Sequence, residues 1–150
     1  MATLALALFF ALLAIAVAHA LWGLRIWWPW SDERSLARTV VGAPNIEKMP
    51  PSYQCMAVAA VMFLLAALTL LLGGISRTLW LADWALTSVG TAASAIFILR
   101  GIVGYLPFWA KITPEQPFRR YDQRMYSPLS ITLGVGMYLL SQSFVAAGTG

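Results

Sequence analysis

Four long apolar runs alternate along the chain with shorter segments that hold most of the polar and charged residues. A helix needs about 20 apolar residues to cross the hydrocarbon core of a membrane. The runs therefore predict membrane-spanning helices over residues 2–24, 53–72, 79–105 and 128–147. We expect an all-α fold, a four-helix transmembrane bundle that forms one domain over residues 1–150.

The first apolar run shares one feature with a secretory signal peptide. Ala18-His19-Ala20 imitates the small-x-small pattern at which signal peptides are cleaved. No lysine or arginine precedes the run, however, and the run is longer than the apolar core of a signal peptide. We therefore interpret residues 2–24 as a retained membrane span.

The segment between the first two spans predicts a short amphipathic helix. Ser31 is a favourable N-cap, and two acidic residues follow it in the first helical turn. Leu36 and Val40 fall on one face of this helix, and Gly42 ends it. We expect the helix to lie at the membrane interface, beside a tryptophan-rich belt over residues 26–30.

The last two spans carry signals for a helix start and for close packing. Ser127-Pro128 predicts the beginning of the fourth span, with serine as the N-cap and proline at the first helical position. Gly90 and Ser94 in the third span form a small-xxx-small pair. Such pairs allow two helix backbones to approach closely within a membrane.

Composition supports a membrane protein. Hydrophobic residues make up 60% of the chain and charged residues 11%, whereas about a quarter of the residues in a soluble domain are charged. The excess apolar side chains are therefore expected to face lipid. The net charge of +4 arises from basic residues in the connecting segments, which suits anionic headgroups better than nucleic acid.

The basic residues also predict an orientation. Nine of the ten lysines and arginines lie in the first loop or in the region from the end of the third span to the start of the fourth, and Arg77 is the remaining one. Short loops rich in lysine and arginine stay in the cytoplasm. We expect a membrane protein with both long loops in the cytoplasm and both termini on the other side.

Residue counts exclude several chemistries. The chain has one cysteine, Cys55, and one histidine, His19, so it holds no internal disulfide, no paired-cysteine redox motif and no bis-histidine haem site. A metal site is disfavoured for the same reason. The HExxH, GxSxG and P-loop patterns do not occur either. We expect no cofactor, and the sequence favours a non-enzymatic role.

Polar residues converge at one end of the predicted bundle. Four antiparallel crossings bring the end of the first and third spans to the same side as the start of the second and fourth. The candidate polar cluster there consists of His19, Trp22, Arg100, Asp122, Arg124 and Tyr126.

Arg100 is the most informative member, because a charge within an apolar helix costs about 2.5–3.5 kcal/mol unless it is compensated. Asp122 is the expected partner. A structural alternative is that Arg100 extends to lipid phosphates or fixes its helix to the following loop.

Two other members of the cluster also allow a structural and a functional interpretation. His19 precedes Trp22 by one helical turn and could transfer a proton or contact a ligand, although an interhelical hydrogen bond is the simpler role. Tyr126 either forms part of a helix start or donates a hydrogen bond into a pocket. Cys55 is interpreted as a small packing residue.

Several of these elements together resemble a known family. His19-Ala-Leu-Trp-Gly, Arg100-Gly, Phe118 and the stretch from Asp122 through Tyr126-Ser-Pro to Leu129 are similar to the domain of unknown function 3995 family. The resemblance implies a small four-helix protein of the bacterial inner membrane. It implies no activity and lends no catalytic residue.

Two functional hypotheses follow. The first is an accessory or assembly subunit of a larger membrane complex, with small residues such as Gly134 and Gly136 packing against partner helices. The second is a site for a lipid, a quinone or a similar amphiphile at the cytoplasmic interface, with the polar cluster around its head. Membrane lipids are expected partners in either case. A transporter ranks third, because no polar path crosses the middle of the bundle.

Overall fold

The computed structural model describes residues 1–76 and 81–148, and within them the fold is all-helical. Four helices are long and apolar enough to cross a membrane, which confirms the predicted architecture. They are α1 (Ala2–Gly23), α3 (Ser52–Leu72), α4 (Asp83–Val103) and α7 (Ser127–Gly148). Three shorter helices connect them: α2 (Glu33–Val40), α5 (Pro107–Ile112) and α6 (Phe118–Tyr121).

The four long helices form two tightly packed hairpins, α1 with α3 and α4 with α7. Within the second hairpin, Ser94 Oγ donates to the carbonyl oxygen of Gly134 at 2.7 Å, so the two backbones nearly touch. A Cβ atom on Gly134 would lie 2.9 Å from the Ser94 carbonyl oxygen. A Cβ atom on Gly90 would overlap Ser141, which confirms that Gly90 and Ser94 lie at a close helix contact.

One apolar core joins the two hairpins. It extends from Leu8 and Leu12 of α1 to Met137 and Leu140 of α7, with contributions from α3 and α4. Gly136 packs against Leu8 inside this core. Gly134 and Gly136 are therefore used within the chain, and the expectation that they offer a surface to partner helices is wrong.

The amphipathic helix between the first two spans is α2. Its N-cap is Asp32, whose carboxylate accepts the Ser35 backbone N–H at 2.8 Å, so the prediction of Ser31 as the cap is wrong. Hydrogen bonding to Ser35 also lowers the pKa of Asp32. Leu36 and Ala37 are fully buried. They pack in a second apolar cluster with Trp22, Met49 and Cys55, so α2 covers one end of the bundle.

Two predicted helix starts differ from the structure. Leu81 and Ala82 are not helical, so α4 begins at Asp83 rather than at residue 79, which lies outside the described residues. The fourth span begins earlier than Ser127, because α6 continues through a π-helical turn over Asp122–Tyr126 into α7. The wider π turn accommodates Pro128, which would otherwise end a helix.

Candidate ligand-binding cavity between the hairpins

A buried carboxylate organises the end of the bundle that carries the long loops. Asp122 is completely buried. Its Oδ1 accepts hydrogen bonds from Arg100 Nη2 at 2.7 Å and Ser127 Oγ at 3.2 Å. Its Oδ2 accepts one from Trp109 Nε1 at 2.9 Å and lies 3.6 Å from Arg119 Nη1. The expected pairing of Arg100 with Asp122 is therefore confirmed.

Local backbone structure places this carboxylate. The π turn offsets the helix register by one residue, and Asp122 at its first position contacts α4. Gly104 leaves room for that contact, because a Cβ atom there would overlap Ser127 Oγ. Arg119 Nη1 additionally donates to the Gly104 carbonyl oxygen at 2.6 Å. The end of α4 is thus fixed to the start of the last span.

Arg100 retains unused hydrogen-bonding capacity in this network. Its guanidinium carbon lies 5.3 Å from the centre of the Trp109 ring, a cation–π contact. Its Nη1 is buried and has no hydrogen-bond partner among the described residues. One third of the side chain remains exposed, and Arg100 lines a cavity between the two hairpins.

The cavity has a volume of about 630 Å³, within the range of roughly 300–1,000 Å³ that is typical of small-molecule sites. All four long helices contribute to its walls, and the loop after α2 covers it at the end of the bundle. Most of its surface is apolar. The apolar wall includes Ile15, Ala18, Val58, Met62, Phe97 and Leu133; the end of α2 contributes Val40, and the loop after it contributes Val41, Met49 and Pro50.

The cavity is partly open to the surface. Its most exposed large apolar wall residues are Val58 of α3, Leu129 of α7 and Met125 of the π turn, which are 38%, 38% and 48% exposed. Both hairpins therefore contribute partly exposed apolar side chains to the wall.

His19 contributes a ring nitrogen to the cavity wall. Its Nδ1 lies 2.8 Å from the carbonyl oxygen of Ile15, and because a carbonyl only accepts, Nδ1 carries the proton. Nε2 is thus the ring atom left for a ligand. The ring contacts Trp22 in a tilted arrangement, with centroids 4.8 Å apart and an angle of 53° between the ring planes.

The hydroxyl groups in the cavity wall already donate hydrogen bonds within the protein. Tyr126 Oη donates to the carbonyl oxygen of Thr39 at 3.2 Å, and this bond ties the last span to α2. Ser130 Oγ donates to the Tyr126 carbonyl oxygen at 2.8 Å. Neither hydroxyl proton is available to a ligand, so Tyr126 does not donate into the pocket.

The six residues of the predicted polar cluster divide into three groups. His19, Trp22, Arg100 and Tyr126 line the cavity. Asp122 lies outside the wall and holds Arg100 in place. Arg124 is exposed outside the cavity and pairs with no described residue.

Sequence reasoning missed several contributors. Trp109 and Arg119 complete the shell of Asp122, and Phe118 packs against Gly42 to join the two loops. Arg119 precedes Asp122 by three residues, a spacing that would have been informative had the helix been predicted to start at Phe118. Nothing in the sequence singles out Trp109.

Four apolar spans around a partly open, polar-edged cavity define a small multi-pass membrane bundle. The chain belongs to a family whose description is "Protein of unknown function (DUF3995)", and residues 12–137 match the family model. No curated protein and no solved structure matches the chain.

Proposed function

We propose that this protein binds a membrane amphiphile, of lipid or quinone type, in the cavity between its two hairpins. The observation that carries the proposal is the cavity itself: about 630 Å³, apolar along most of its wall and edged by Arg100 and His19. The polar head lies against these two side chains. The apolar tail occupies the space between the hairpins and extends from the open side of the cavity.

Affinity in such a site comes mainly from the polar head. A tail that moves from the bilayer into the cavity exchanges one apolar medium for another, so burying it gives little of the gain that it would give from water. Hydrogen bonds to a charged group are stronger than those between neutral groups. The Arg100 guanidinium is therefore the main source of selectivity.

A cavity-filling variant tests the proposal. Ala18→Phe adds a ring to the cavity wall, whereas Val17→Phe adds the same ring next to it on an exposed position outside the lining. Native mass spectrometry of protein purified in mild detergent measures the bound amphiphile. We expect amphiphile on the wild type and on Val17→Phe, and at least a tenfold loss on Ala18→Phe. Equal retention by both variants, or a wild type without amphiphile, contradicts the proposal.

The proposal includes a location and an orientation, namely the bacterial inner membrane with both long loops in the cytoplasm. The imbalance of basic residues, nine against one, supports this orientation. Under it, the head of the ligand lies on the cytoplasmic side. A cysteine added after Gly150 in a Cys55→Ala background should react with an impermeant reagent from outside the cell. Reaction only from the cytoplasmic side reverses the assignment.

A second candidate function is an accessory subunit of a larger membrane complex. Exposed apolar side chains on the outer face of α3, such as Phe63 and Leu64, are compatible with contact to partner helices as well as to lipid. The small-residue argument for this role no longer holds, because Gly134 and Gly136 pack internally. Purification from the native membrane tests it: a co-purifying subunit in a fixed ratio supports this role, and a free monomer or homo-oligomer contradicts it.

A further inference from the structure

We infer that the bound amphiphile carries an anionic oxygen head, a carboxylate or a phosphate monoester. This inference rests on the proposed function and specifies its ligand. Two observations carry it: the balance of charge at the polar edge and the hydrogen-bond donors in the cavity wall.

The polar edge of the cavity has an excess of positive charge. Arg100 and Arg119 share one carboxylate, that of Asp122, which leaves one positive charge uncompensated in the group. Glu115 is paired with Arg38 instead, at 2.6 Å. Among the described residues that line the cavity there is no aspartate or glutamate. A positive charge beside an apolar wall is stabilised more by an anion than by a neutral polar group.

Hydrogen-bond accounting leads to the same residue. The hydroxyl protons of Tyr126 and Ser130 are both donated to backbone carbonyl oxygens. The Gln54 side-chain amide, a neutral donor in the wall, donates to Tyr53 Oη. Arg100 is the charged donor, and its Nη1 is buried without a partner among the described residues, so the guanidinium would have to rotate to present it to a ligand. An oxyanion would then gain a charge-assisted hydrogen bond, which is stronger than the bond to a neutral hydroxyl head.

Matched probes with the same chain test the charge of the head. Oleate, oleoyl lysophosphatidate and neutral monooleoylglycerol are titrated into the full-length protein in nanodiscs of neutral lipid, and binding is measured by native mass spectrometry. We expect at least one anionic probe to bind about tenfold or more tighter than monooleoylglycerol. The anion that binds more tightly, oleate or lysophosphatidate, identifies the source of the head, and either supports the inference.

Variants assign the preference to Arg100. Arg100→Gln should remove the preference for the anionic probe while monooleoylglycerol binding is retained. Arg124→Gln removes the same charge from an exposed site outside the cavity and should leave the preference unchanged. Because Arg100→Gln leaves Asp122 buried with less compensation, the double variant Arg100→Gln/Asp122→Asn provides a second test in which both partners are neutral.

The possible failures are distinguishable. Equal binding of anionic and neutral probes by the wild type overturns the inference and leaves the proposed function standing. A preference that persists in both Arg100 variants also overturns it. If no probe binds the wild type while Ala18→Phe behaves like Val17→Phe, the proposed function itself fails.

Discussion

Arg100 Nη2 and Asp122 Oδ1 lie 2.7 Å apart and connect the last turn of α4 to the π turn that leads into the last span. Asp122 is inaccessible to solvent, whereas one third of the Arg100 side chain is exposed and forms part of the cavity wall. The pair therefore has two consequences. It fixes the second hairpin, and it holds a cation at the edge of the cavity.

Replacing Asp122 should destabilise the fold. In Asp122→Asn the amide keeps the shape of the side chain, but Arg100 and Arg119 lose their counter-charge and an NH₂ group meets the surrounding donors. We expect a loss toward the lower end of about 3–5 kcal/mol in the free energy of unfolding, because Arg100 is partly exposed. Denaturation in detergent micelles measures this loss.

Glu47→Gln is the matched control for that loss. Glu47 forms an exposed ion pair with Arg34 at 2.7 Å, and such pairs contribute about 0–1 kcal/mol. The control should unfold like the wild type. Similar stability of Asp122→Asn and Glu47→Gln would show that the buried carboxylate is not required for the fold.

Gly134→Ala should separate α4 from α7. Its new Cβ atom would lie 2.6 Å from Ile98 Cγ1 and 2.9 Å from the Ser94 carbonyl oxygen, and backbone cannot move aside as a side chain can. We expect a cost of about 1–3 kcal/mol from overpacking. Val135→Ala changes the neighbouring exposed residue and should have little effect. Thermal melts of both variants that coincide with the wild type would contradict a tight contact at Gly134.

Tyr126→Phe should loosen α2. The variant keeps the aromatic ring in the cavity wall and removes the hydrogen bond to the Thr39 carbonyl oxygen, which is worth about 0.5–1.5 kcal/mol. Amide hydrogen exchange over residues 36–41 should become roughly two- to tenfold faster. Tyr138→Phe is the control, since Tyr138 is exposed and donates to no described residue. Unchanged exchange in Tyr126→Phe would mean that other contacts hold α2.

The cap of α2 should depend on pH. Hydrogen bonds from Ser35 stabilise the ionised carboxylate and lower the pKa of Asp32 below its ordinary value of 3.8. The contribution of the cap is therefore complete above that ordinary value and disappears as the pH falls through the lowered pKa of the folded state. The Ser35 amide resonance should report this transition by NMR.

Two substitutions separate the capping hydrogen bond of Asp32 from its titration. Asp32→Asn preserves a capping oxygen without a titrating group, so the helix should persist and the transition should vanish. Asp32→Ala should lose both the stable helix and the transition with pH. An α2 that remains equally helical in Asp32→Ala would show that burial of Leu36 and Ala37 is sufficient to hold it.

The number of spans and the Arg100–Asp122 pair were predictable from sequence, because both follow from the cost of placing polar groups in an apolar medium. The apolar runs determine where the chain can cross a membrane. A lone arginine within the third run requires compensation, and the topology brings few acids near it.

The start of the last span was not predictable in the same way. Ser127-Pro128 has the sequence of a helix start, yet the helical path begins at Phe118, because a π turn absorbs the proline. Local propensity cannot reveal this, since Ser127 donates to Asp122 rather than capping backbone N–H groups. The burial of Asp122 and the contact to α4 decide the outcome.

The cavity could not be predicted from sequence patterns either. Its volume depends on how far the two hairpins separate at the loop end, and that distance follows from side-chain packing around Phe97 and Leu133. Glycines bring α4 and α7 together within the second hairpin, and Gly136 also contacts Leu8 of the first hairpin away from the cavity, so no local pattern predicts where a gap remains.

The pairing of α1 with α3 and of α4 with α7 divides the bundle into two halves, each made of helices that are neighbours in the sequence. The cavity has walls from both halves, so its shape depends on how the two halves are docked. A bound amphiphile would therefore act at the joint between the halves and strengthen that joint rather than either half.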